Sequence, residues 1–181
     1  MKERYVVDTN VLIAASAADP QDPKDIDATP EDSCLRLKIF HWLDEFRASP
    51  SIHLVLDDAQ KINKEYRNKL NDQDFGIRVV MHKWDTCAVD NVSVTYDANG
   101  HGCLPGTLAP TIHDREDRKM VAACLAALAI HGPCVIAFAS DSDWIGWERI
   151  LHQHGVELEP IIEDWVRQKY DEKQENRTRG A

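Results

Sequence analysis

The chain has no apolar run approaching the ~20 residues that a membrane-spanning helix needs. It has no C-x-x-C pair: Cys34, Cys87, Cys103, Cys124 and Cys134 are odd in number and scattered, which points to reduced thiols rather than a disulfide framework. Positive charge is scarce, with 21 Lys and Arg against 31 Asp and Glu and a formal net charge of −10. That balance excludes a coat protein that holds nucleic acid through bulk basicity. It still admits a nucleic-acid enzyme, because a carboxylate-rich metal site is itself acidic, but such an enzyme needs local basic patches. Gly100-His101-Gly102 is followed by no G-K-[ST], so it is no phosphate loop, and no internal repeat is present. The opening Met1-Lys2-Glu3-Arg4 turns acidic at once, and Asp8 interrupts the next apolar run. No signal peptide and no membrane partner are therefore expected, and with the reduced thiols this predicts a cytoplasmic protein.

What is present suits a folded domain. Of 181 residues, 43% are apolar, enough for a core at this size and too many for a disordered chain. A single domain over 1–170 is expected, followed by a polar tail, 171–181, that frays. Tyr5-Val6-Val7 reads as a short buried strand, followed by a helix over 11–18 with Thr9 or Asn10 as its cap. Leu35, Ile39, Trp42, Leu43 and Phe46 share one face of a helix over 31–48. Further strands are expected at 52–56, 92–96, 134–139 and 156–158. Helices are expected after Asp57, over much of 73–88, from Asp114 to 130, over 143–154 and from Pro160 to about 169. Residues 19–30 and 85–112, rich in Pro, Gly and Asp, read as inserted loops. Strands alternating with helices predict an α/β fold, a three-layer α/β/α domain with a mostly parallel sheet.

Ligands of such sheets bind beyond the carboxyl ends of the strands. Asp8 and Asp141 stand there, Asp117 opens the most apolar helix, and Glu65 lies beside the apolar positions Ile62 and Tyr66; Asp143 is a fifth acidic candidate. Converging carboxylates repel one another unless a cation neutralises them. Hard oxygen donors without His or Cys suit Mg²⁺ or Mn²⁺. Read singly, each has an ordinary role: Asp8 and Asp143 as helix caps, Asp114 as part of a capping turn, Glu65 on a solvated face. Cys87, His101, Cys103 and His113 fit no standard zinc spacing. The five tryptophans read as core and interface anchors rather than base-stacking platforms. A phosphatase would want D-x-D after the first strand, and Asp8-Thr9-Asn10 lacks the second carboxylate.

Val6-Val7-Asp8-Thr9-Asn10-Val11-Leu12 resembles the opening motif of PIN-domain nucleases. Residues 54–70, with Glu65-Tyr66, resemble the family's second block, and 113–120, with Asp117, its third. Phe138-Ala139-Ser140-Asp141-Ser142-Asp143-Trp144 resembles the last, although Ala139 stands where that block has Thr or Ser, and 156–166 resembles the closing strand-Pro-helix. The blocks occur in order over nearly the whole chain, and the bacterial VapC-like toxin branch is the nearest likeness. The resemblance implies an endoribonuclease dependent on Mg²⁺ or Mn²⁺, its metal held by Asp8, Glu65, Asp117 and Asp141 with Asp143 close by. It implies substrate contacts from Asn10, Arg115, Arg118 and Lys119, whereas Lys61 and Lys69 read as a solvated helix face. RNA as substrate, an antitoxin partner and a homodimer are further implications. The alternative is a degenerate domain of this kind, acting in protein interaction without catalysis.

Overall fold

The computed structural model describes residues 1–21 and 27–179; residues 22–26 of the expected 19–30 insertion lie outside the described residues, as do 180–181. The elements run β1 (Arg4–Val7), α1 (Thr9–Ala17), α2 (Ser33–Ala48), β2 (His53–Asp57), α3 (Lys61–Lys69), α4 (Phe75–Asp85), β3 (Val89–Val92), α5 (Leu108–Thr111), α6 (Arg118–His131), β4 (Val135–Phe138), α7 (Asp143–Gln153), β5 (Glu157–Pro160) and α8 (Glu163–Arg179). All five strands are parallel, in the order β3-β2-β1-β4-β5. Helices flank the sheet in an α/β/α arrangement. α1, α2 and α4 pack on one another, while α6 runs over β1 to β4.

The central strands are apolar throughout because both faces are covered. Tyr5, Val6 and Val7 of β1 and Ile136, Ala137 and Phe138 of β4 have no exposed surface. α2 turns Ile39, Leu43 and Phe46 inward, and Asp32 caps it by accepting from the amides of Cys34 and Leu35. α6 presents Val121, Ala123, Cys124 and Ala127 to the sheet, small residues that let a central helix sit close.

Four details depart from the sequence expectation. Asp8 itself, rather than Thr9 or Asn10, is the N-cap of α1. β3 is 89–92, not 92–96: Val89 to Val92 pair with Leu54 to Asp57, while the next segment folds back on itself through the Tyr96–Gly102 bridge. α6 begins at Arg118, because 114–117 forms a turn closed by the Asp114 carboxylate on the Glu116 amide. The polar tail is helical to Arg179, held by Lys169–Glu172 and Arg179–Glu175 pairs and by Lys173 on Asp143.

The loop between β3 and α5 is tied down by Asp57, the last residue of β2. Asp57 is buried and accepts from the amides of Lys61 (3.0 Å) and Ile62 (2.8 Å) and from the Tyr96 hydroxyl (2.7 Å). Lys61 Nζ lies 3.9 Å from the Tyr96 ring centroid and donates to the Gly100 carbonyl at 3.0 Å. The loop is thus fixed to the sheet on its way to α5 and α6.

Strand order reverses between β1 and β4, the point at which the loops of an open parallel sheet diverge and leave a crevice. One backbone approach keeps α1 seated beside it. A Cβ built on Gly76 of α4 falls 2.7 Å from Leu12 Cβ and 2.8 Å from the Leu12 carbonyl oxygen. Gly76→Ala is expected to destabilise the fold by about 1–3 kcal/mol through overpacking, read as a lower urea midpoint with an unchanged slope.

Candidate metal centre

Three carboxylates meet at that crevice. Asp8 ends β1, Asp141 follows β4, and Asp117 precedes α6; one oxygen from each lies within 4.8 Å of the others. Each is fixed by local backbone. The Asp8 oxygens accept from the Asn10 amide at 2.7 Å and from the indole N–H of Trp144 at 2.7 Å. Asp141 Oδ1 accepts from the Asp143 amide at 2.8 Å. Asp117 Oδ2 is buried without any hydrogen-bond partner. A buried carboxylate with one orphaned oxygen, meeting two further carboxylates, is an arrangement that a hard cation would satisfy.

The electrostatics carry the same demand. Burial, with the neighbouring Asp141 and Glu65, pushes the Asp8 carboxyl up to about 7 despite its two donors. Burial, then Asp8, Asp141, Asp114 and Glu65, pushes Asp117 up to about 9. Asp141 is also raised, chiefly by burial, although the Asp143 amide and Lys173 oppose the rise. Three hard oxygen donors with no nitrogen or sulfur among them fit Mg²⁺ or Mn²⁺, and these three residues are the ones that could hold such an ion.

The other expected site residues divide. Glu65 stands at the border of the three, its carboxylate engaged by the Thr9 hydroxyl and, at 2.6 Å, by Lys119 Nζ. Lys119 is the correction that matters most. It is 5% exposed, and its ammonium is used up on Glu65, the Glu116 carboxylate and the Glu116 carbonyl, so it is an internal partner rather than a substrate contact. Burial alone would lower its pKa, yet the two glutamates raise it. Arg118 is likewise committed, donating to the carbonyls of Ile112 and Ala109 and holding the loop before α6. Asp143 points its carboxylate at Lys173 (2.5 Å) and His113 (3.6 Å), outside the three-carboxylate group, and Ser142 rather than Asp143 is the N-cap of α7. Arg115 is exposed on the 114–117 turn. Asn10 lines a cleft of about 300 Å³ together with Asp8, Glu65, Lys69 and Asp117.

Two contributors escaped sequence reasoning. Trp144 is fully buried and orients Asp8; it was legible only as a core aromatic, although its place three residues after Asp141 at the head of a helix puts it beside the strand ends. Thr9 supplies a hydroxyl to the site although Ala139 does not. No family model, characterised protein or solved structure matches the chain. Among the described residues no helix is long and apolar enough to cross a membrane.

The raised carboxylates make stability fall with pH in the metal-free protein. Folded Asp8 and Asp117 hold protons that the unfolded chain releases near pH 4, so stability drops as pH rises from there through about 7 and about 9. Thermal melts in chelator are expected to show this decline, and Mn²⁺ should raise the midpoint more at pH 8 than at pH 5. Asp8→Asn should remove its share of the decline and melt higher than wild type at pH 8 without metal. A wild-type midpoint in chelator that is flat or rising over this range would contradict the arrangement.

Proposed function

We propose that the chain is a divalent-metal-dependent endoribonuclease, built as the PIN-like nucleases it resembles in sequence and acting in the cytoplasm. The observation that carries the reading is the meeting of Asp8, Asp117 and Asp141 at the switch point of a parallel sheet, one carboxylate oxygen of each within 4.8 Å of the others; Asp117 also keeps a buried oxygen, Oδ2, without a hydrogen-bond partner. Asp8, Asp117 and Asp141 would hold the cation. When bound, it would supply a polarised phosphate oxygen and a water of lowered pKa.

The chain's own groups supply the rest. Trp144 and the Asn10 amide fix both Asp8 oxygens, so the carboxylate does not reorient when substrate enters. The Asp143 amide does the same for Asp141. Glu65, steadied by Thr9 and Lys119, faces the cleft as a carboxylate able to accept the proton of an attacking water. The antitoxin partner and the homodimer are parts of the same reading that rest on the sequence resemblance.

Purified protein should cleave single-stranded RNA with Mg²⁺ or Mn²⁺ and stop on chelation. Asp8→Asn should lower the rate by ~10³-fold, the order of several kcal/mol of lost charge stabilisation. Trp144→Phe keeps the ring but removes the N–H, and should weaken Mn²⁺ binding about tenfold. Metal-dependent cleavage unchanged in Asp8→Asn would overturn the site. A wild-type chain that neither cuts RNA nor binds Mn²⁺ would favour the non-catalytic interaction module.

A further inference from the structure

A carboxylate centre that acts on a polyanion needs cations beside it. Of the three expected from sequence, Arg118 and Lys119 are committed inside the protein, and Arg115 is exposed on the turn before α6. The sheet itself shows where others stand. α3, which follows β2, carries Glu65 and Lys69; Asp8 follows β1; Asp141 and, opening α7, Asp143 follow β4; and α8, which follows β5, lays Lys173 against Asp143. Neighbouring strands are ~4.8 Å apart, so these are successive stations along a line crossing the carboxyl edge of the sheet. The acidic centre occupies the middle and a lysine stands at each end.

The two lysines are available in different ways. Lys69 lines the cleft with Asp8, Asn10 and Asp117, is exposed, and makes no ion pair among the described residues. Lys173 is held 2.5 Å from Asp143 Oδ1, and the amide of the same Asp143 donates to Asp141, which ties the lysine to the centre through one residue. An ammonium has three donors, so Lys173 can keep Asp143 and still receive an oxygen of another group. α8 is not explained by the core, because Val166 is its one buried residue among the described ones. Its other cations are mostly spent: Arg167 on Glu148 and Glu163, Lys169 on Glu172, Arg179 on Glu175. Arg177 is the exception, one turn beyond Lys173, exposed and without an ion pair among the described residues.

We propose that single-stranded RNA runs along the carboxyl edge of the sheet, from Lys69 across the acidic centre to Lys173. These two lysines hold phosphates on opposite sides of the one attacked, and Arg177 extends the contact on the α8 side. This assignment rests on the nuclease reading and adds the path of its substrate. A path with a cation on each side of the centre holds chain in both directions, as cleavage within a strand requires.

The test uses the full-length protein with Lys69→Gln, Lys173→Gln and the double substitution. Anisotropy of a labelled single-stranded RNA in chelator gives affinity and its salt dependence; cleavage in Mn²⁺ gives KM and kcat. Each single change is expected to weaken RNA binding roughly fivefold and to reduce the log–log salt slope by about 0.7, the value for one phosphate of a single strand. The double change should lower it by about twice that, with kcat and Mn²⁺ affinity held in Lys69→Gln and Lys173→Arg restoring RNA binding. If wild type cleaves RNA and the glutamine variants keep its KM and salt slope, the path is wrong while the nuclease reading stands. If wild type binds RNA through both lysines but cuts none, the path stands without the chemistry. If it neither binds nor cuts RNA, both fall.

Discussion

The structure is organised around a repulsion. Three carboxylates are brought within 4.8 Å of one another at the place in the sheet order where neighbouring strands send their connections apart. No folding force favours that meeting. It is imposed by β1 and β4, whose apolar residues are buried on both faces and which end in acidic positions. The surroundings then limit the cost without cancelling it. Trp144 and two backbone amides donate to Asp8 and Asp141, while Asp117 keeps a buried oxygen without a donor. A site stabilised by protein donors alone would have satisfied that oxygen too; the proposed cation is the group that would satisfy it.

The flanking carboxylates are treated differently. Glu65 is bound by Lys119 and Asp143 by Lys173, so each of the two acidic residues beside the centre has its own lysine. The distinction is one of architecture. Lys119 is the second residue of α6, the helix that Asp117 precedes, and is buried among protein acceptors; Lys173 arrives from α8 and keeps over a third of its side chain exposed. The first pairing fixes a wall of the site, and the second leaves a cation at its margin. The overall charge of −10 therefore says little about the surface that a substrate meets, because the cations near the centre are placed individually.

Periodicity made most of the fold legible. The α/β alternation, the buried β1 and β4, and the α6 helix follow from apolar runs and their spacing. Asp8, Asp117 and Asp141 were visible because two follow strands and one precedes the central helix. The misplacements have a shared cause: side-chain partners distant in sequence. Lys119 looks like a surface cation beside Asp117 until Glu65, 54 residues away in the sequence, is folded against it. Trp144 looks like core packing until β1 brings Asp8 to its N–H. The tail looks like fraying coil because ion pairs along a helix and a single anchor on Asp143 leave no hydrophobic period to read.

The register of β3 shows the same limit from the other side. Val92 to Tyr96 has the stronger strand composition, yet the ladder uses Val89 to Val92, with Asp90 and Asn91 in its middle. Asp90 is acceptable there because His53 of the neighbouring β2 and Arg4 of β1, one strand further, reach its carboxylate, each at 2.9 Å, and His53, then Arg4, hold its pKa below the usual range against the effect of burial. The segment with the better propensity is instead used to carry Tyr96 to Asp57. Asp57 already caps α3, so one buried carboxylate fixes both the helix that bears Glu65 and Lys69 and the insertion that leads toward Asp117. One wall of the cleft, the helix that carries Glu65 and Lys69, is therefore positioned by a residue that does not line it. Shifting β3 to its better-scoring register would release Tyr96 from Asp57 and unpair Arg4 and His53 from Asp90, and these polar losses outweigh the gain in strand propensity.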